Sequence, residues 1–97
     1  MKKTNKAKKD IIEAVVEFGL IYPYHVSQDT LIEMINKWNM RLISMGTYDE
    51  VAKVGIQKDK FKTIFGENPS VGEFEVPEGT KKFISSVKVT KIDILKG

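Results

Sequence analysis

The sequence predicts a small α+β domain of three helices, a short edge strand and a C-terminal β-hairpin. Three observations predict it. The run Thr47 to Gly66, TYDEVAKVGIQKDKFKTIFG, reads as two short helices joined by a tight turn. Two earlier segments carry apolar residues at helical spacing. After Gly66 the pattern changes to β-branched residues with alternating polarity, the mark of strands.

Taken in order, Asn5 to Gly19 reads as the first helix, with Ile11, Ile12, Val15, Val16 and Phe18 as its apolar stripe and Gly19 at its end. Leu20 to Val26, LIYPYHV, is rich in strand formers. Pro23 cannot donate a ladder hydrogen bond, so this strand is placed at an edge. Ser27 or Asp29 can cap a second helix, Asp29 to Ile43, which buries Leu31, Ile32, Ile35, Trp38 and Leu42. Met45-Gly46 ends it.

Thr47 caps the first helix of the pair, with Asp49 and Glu50 in its opening turn, where negative charge suits the helix dipole. Val51, Ala52 and Val54 give it an apolar face, Gly55 permits the turn and Ile56 plugs the corner. Phe61, Ile64 and Phe65 then repeat at i, i+3 and i+4, so one side of the second helix is buried. Its other side carries Lys58, Lys62 and Thr63, with Lys60 at the flank. Asn68-Pro69-Ser70 is a loop. Gly72 to Val76 and Lys81 to Leu95 are strands joined by the turn Pro77-Glu78-Gly79-Thr80. The alternation breaks after Val89, which places a bulge or bend near Thr90-Lys91.

The chain has 97 residues, enough for one domain, and is 41% hydrophobic, enough for a small core. There is no cysteine, so disulfides and thiolate metal sites are excluded. No apolar stretch is long enough to span a bilayer, and a cytoplasmic setting is expected. The net charge is +3, but Lys2, Lys3, Lys6, Lys8 and Lys9 all precede the first acid; less those five, the rest of the chain is −2. Residues 1–9 are therefore read as a basic flexible arm and 10–97 as the domain. Such an arm attracts a phosphate backbone, or serves as a solubilising terminus.

Helix, short strand, helix, helix and hairpin is the order of elements in winged helix-turn-helix proteins, and residues 10–95 resemble that family. Val51, Ala52, Gly55, Ile56, Phe61 and Ile64 carry the resemblance, with the hairpin across Pro77 to Thr80. Ala52 and Gly55 are three positions apart where the family commonly has four, which leaves the helix register open. The resemblance implies a recognition helix in the major groove of double-stranded DNA, with Gln57, Lys58, Lys60, Lys62 and Thr63 facing it. Lys81 and Lys82 would sit on the wing, and Lys8 and Lys9 in the arm would add phosphate contacts. The composition also resembles that of plasmid- or phage-encoded proteins of low-GC Gram-positive bacteria, in a transfer-origin accessory or repressor role. Residues 66–73, with Asn68-Pro69, resemble the arm of histone-like DNA-bending proteins, although the Gly-Thr-aromatic start of that family's strands is not near enough upstream.

The resulting expectation is a sequence-preferring double-stranded DNA-binding protein. A homodimer is expected because one recognition helix reads few base pairs, and protein partners in a nucleoprotein complex are compatible with it. The alternative is a protein-interaction module that buries its second helix or an edge strand against a partner. Trp38 is read as core, or as a dimer contact. Tyr22 and Tyr24 are read as packing residues, and His25, the lone histidine, as structural. No catalytic motif is present, and neither a cofactor nor enzymatic activity is expected.

Overall fold

In the computed structural model, residues 11–45 and 50–95 are described. Five strands and two α-helices run in the order β1 (Ile11–Leu20), α1 (Tyr24–Lys37), β2 (Arg41–Met45), β3 (Val51–Gln57), α2 (Lys58–Phe65), β4 (Gly72–Phe74) and β5 (Ile84–Leu95), with a 3-10 turn at Glu78–Thr80. The strands form one antiparallel sheet ordered β2-β3-β1-β5-β4. Without the short β4 this is the β-α-β-β-α-β run of the split β-α-β motif.

This overturns the winged helix-turn-helix expectation. That fold needs three helices and a small wing, whereas here the sheet dominates and two helices pack on one face of it. Residues 11–19, expected as helix, belong with Leu20 to the central strand. Their apolar residues fit both periods, because Glu13 and Glu17 are spaced four apart like a helical polar face. The core side is set by Ala14, Val16, Phe18 and Leu20, at strict intervals of two. Val51 to Gln57, expected as the first helix of the pair, is a strand whose Ala52, Val54 and Ile56 point into the same core.

Of the expected edge strand 20–26 only Leu20 is strand, as the end of β1; the rest is a turn and the first residues of α1, with Pro23 in the N-cap position, where its lack of an N–H costs nothing. Ser27 lies within that first turn, and its Oγ donates to the Ile21 carbonyl at 2.5 Å. The helix expected to reach Ile43 stops at Lys37, and Asn39 takes a positive φ of 56° as the chain reverses into β2.

Three expectations match the structure. Residues 58–65 are helical, and Gly66 ends them with φ 81°, its N–H bonded to the Lys62 carbonyl. β4 and β5 pair antiparallel. The bulge is present: Val15 faces Lys91 while Val16 faces Val89, which leaves Thr90 as the extra residue, its hydroxyl donating to the Val15 carbonyl at 3.2 Å.

The core joins Leu31 and Ile35 of α1 and Phe61 of α2 to the inner faces of β1, β3 and β5. Phe61 is fully buried, stacked on Phe65 at 4.3 Å and edge-on to Phe74 at 5.0 Å between ring centroids. Lys60 donates to the Trp38 carbonyl at 3.0 Å, which ties the end of α1 to the start of α2.

Candidate functional site

Three surfaces offer themselves. The first is the sheet face opposite the helices, which no described element covers. Its centre holds a charge pair. Arg41 Nη2 donates to Glu13 Oε1 at 2.6 Å and Arg41 Nε donates to Oε2 at 3.1 Å. The carboxylate is almost wholly buried, while the arginine side chain is 55% exposed. Glu13 hydrogen-bonds the guanidinium and adds its charge, and together these raise the Arg41 pKa. Arg41 is on β2 and Glu13 on β1, with β3 between them. The arginine crosses that strand at Gly55, its cross-strand partner, where there is no side chain to obstruct it.

Beside this pair runs a row of alternating charge. Lys53, Glu17, Lys88 and Glu73 face one another in register across β3, β1, β5 and β4. Lys53 and Glu17 approach to 3.9 Å, and Lys91 pairs with Asp93 at 3.6 Å. Opposite charges directly across strands stabilise a sheet modestly. Among the described residues, four cations thus meet four anions on this face, a balance that gives a polyanion little to be drawn by. It also lacks aromatic side chains among its described residues, so it offers no platform for stacking bases.

The second surface is the sheet's β2 edge. Leu42 is 44% and Ile43 36% exposed, and Val51 next along the hairpin is 44% exposed. The one charge on this strand, Arg41, is ion-paired across β3 to Glu13 and keeps its outer end in solvent. The register shift between Leu42 and Ser44 makes Ile43 a bulged residue. The opposite edge differs: β4 is three residues long, carries Glu73 and is followed by Glu75 and Pro77, features that discourage edge pairing.

The third is a shallow groove of about 460 Å³ between α1, α2 and the 77–83 loop, floored by Met34, Trp38, Ile64 and Phe83. The hydroxyls of Thr30, Thr63 and Thr80 on its walls all donate to backbone carbonyls of their own turns. Trp38 is half-buried here, packed against the core, with the Lys37 ammonium 6.0 Å from its ring centre.

The residues expected to bind DNA do not form the expected constellation. Gln57 ends β3 at the N-cap position of α2 without a side-chain capping hydrogen bond, and Lys58, Lys62 and Thr63 are exposed on the helix, but a strand precedes it, so no helix-turn-helix presents it. Lys60 is directed at the Trp38 carbonyl. Lys81 pairs with Glu78 at 3.2 Å in the loop before β5, and Lys82 follows it exposed; neither lies on a wing. Lys8 and Lys9 lie outside the described residues. The structure does bring Lys37, at the end of α1, and Lys58, at the start of α2, to the end of the sheet where β1 begins.

The Glu13–Arg41 pair and the β2 edge were missed by the sequence reading. Strict alternation through Ala52, Val54 and Ile56 was the available signal for β3, and hence for the hairpin that brings Arg41 into position.

No family model matches the chain, and no curated protein and no solved structure matches it either. Among the described residues, no cluster of three or more His, Cys, Asp or Glu is arranged to hold a metal ion, and no helix is long and apolar enough to cross a membrane.

Proposed function

We propose that this protein is a protein-interaction module that engages a partner polypeptide along the β2 edge of its sheet. The observation that carries this reading is the contrast between the two edges. β4 is short and flanked by acids and proline, whereas β2 offers five residues with Leu42 and Ile43 exposed and its only charge, Arg41, ion-paired to Glu13. An unpaired edge presents a row of backbone N–H and C=O groups, and an added strand satisfies them while its side chains meet the exposed apolar ones.

The test is site-specific photo-crosslinking. A photoreactive residue at Leu42 or Ile43 is expected to yield protein adducts. The same residue at Val71, which is 66% exposed beside β4 at the opposite edge of the sheet, is expected to yield none. Adducts from Val71 alone, or from no position, remove the reading.

A second reading has one observation behind it. Lys37 and Lys58 lie at the end of the sheet where the lysine-rich residues 2–9 lead into β1, and neither is ion-paired to another described residue. Phosphate binding there, led by charge and without a recognition helix, gives affinity for nucleic acid that falls steeply with salt. Gel shifts at rising salt, with and without residues 2–9, test it. Affinity indifferent to both salt and truncation removes it.

A further inference from the structure

We infer that the end of the sheet where β1 begins docks on an anionic lipid surface. The inference goes beyond both readings above: it needs no strand at the β2 edge, and it adds an apolar contact that phosphate binding lacks. Its first observation is a bare aliphatic tip. β3 reaches only as far as Gln57 opposite Glu13, so the last two rungs between β1 and β5 project past it. Those rungs pair Ile11 with Leu95 and Ile12 with Ile94. Side chains alternate across a strand, so Ile11 and Leu95 share one face and Ile12 and Ile94 the other. Ile94 is 61%, Ile11 38% and Leu95 36% exposed, and Ile12 is half-buried. One exposed aliphatic residue is ordinary, whereas four gathered on both faces of one tip mark a contact surface.

The second observation is the charge around that tip. Lys58 follows Gln57, and Lys37 is brought to the same end by the bond from Lys60 to the Trp38 carbonyl. Both are exposed, and neither is ion-paired to another described residue. Lys96 adjoins Leu95 in the chain. Lys8 and Lys9 precede Ile11 by three and two residues, so the backbone carries them no more than about 11 Å from it. Glu13 and Asp93 are taken up by Arg41 and Lys91, which leaves Asp10 and Asp59 against these five lysines. Lysines draw a protein to acidic headgroups, and the aliphatic groups they surround then enter the acyl boundary. A nucleic-acid backbone meets the same lysines but gives the four aliphatic side chains nothing to bury in.

The experiment is co-sedimentation of the full chain with vesicles of phosphatidylcholine alone and of phosphatidylcholine with about one-third phosphatidylserine. Binding is expected to the mixed vesicles only, falling as salt rises. Ile94→Ser is expected to weaken it about tenfold, and Lys37→Gln combined with Lys58→Gln by about as much again. Val26→Ser, in the first turn of α1 at the sheet's other end, should leave binding unchanged, and circular dichroism should report the same fold for all variants. No binding to either vesicle overturns the inference, as does binding that Val26→Ser weakens as much as Ile94→Ser. Binding that falls with the lysine changes but ignores Ile94→Ser also overturns it, because the end is then a site for any polyanion and the nucleic-acid reading stands in its place. None of these outcomes touches the crosslinks from Leu42 and Ile43, so the β2 edge reading is judged separately.

Discussion

Arg41 reaches Glu13 by passing over Gly55. A Cβ added at Gly55 would lie 2.5 Å from the Glu13 carboxyl carbon, well inside any tolerable contact. The glutamate cannot retreat, because it is buried, and only the exposed end of the arginine is free to give. Gly55→Ala is therefore expected to lower stability by roughly 1–3 kcal/mol, the range for overpacking a tight site. Urea unfolding followed by circular dichroism measures it. A change within about 0.5 kcal/mol, the ordinary surface range, would mean that the carboxylate has room.

The pair itself calls for a double-mutant cycle. Arg41→Ala leaves a buried carboxylate without its counter-charge, which costs more than losing a surface ion pair. Because the arginine is half exposed and water can enter in its place, the expected loss is roughly 1–3 kcal/mol rather than the 3–5 of a wholly buried pair. Glu13→Gln with Arg41→Ala should lose less than the sum of the single changes. Strict additivity would show that the two side chains do not act together.

Phe61 anchors α2. Phe61→Ala removes a ring that is fully buried between Phe65 and Phe74, with an expected loss of about 3–5 kcal/mol. For a domain of this size that is a large share of the total, so the variant should melt far below the parent in calorimetry or not fold. A small shift in melting temperature would mean that the aromatic cluster is not part of the core.

Gly66 ends α2 in the left-handed region at φ 81°, with open space where a Cβ would go. Gly66→Ala therefore reports backbone strain alone. The expected cost is about 1 kcal/mol, read as a lower denaturant midpoint at unchanged slope. A gain in stability would show that the turn relaxes into another conformation.

Thr90 holds the bulge in β5. Thr90→Val keeps the β-branched shape and removes the hydroxyl that donates to the Val15 carbonyl. A loss of about 0.5–1.5 kcal/mol is expected, the net value of one hydrogen bond. No loss would mean that water satisfies that carbonyl equally well.

How far the sequence disclosed this fold differs from element to element, for physical reasons. The Phe61–Ile64–Phe65 spacing, the stop at Gly66 and the break at Thr90 were legible because each is decided within a few residues, and the β4–β5 pairing because two alternating segments follow each other across one turn-rich connection. β1 was not. Val15 and Glu13 are buried on the face away from the helices, the one beneath neighbouring side chains and the other beneath Arg41, so strand alternation is masked and a helical spacing takes its place. Gly55 misled for a related reason. Glycine suits a turn, but here it clears a path between Arg41 and Glu13, and nothing near position 55 announces residues 14 and 42 positions away. The β2 edge depended on those two assignments and was lost with them.

The clearance at Gly55 also makes positions 13, 41 and 55 interdependent. In any divergent form of this chain, a side chain arriving at 55 should be accompanied by loss of the acid at 13, and a neutral residue at 13 should release 41 from being arginine. Arginine freed in that way would stand on the sheet's open border as an unspent positive charge, and an edge indifferent to the charge of what it meets would become one that favours acidic company.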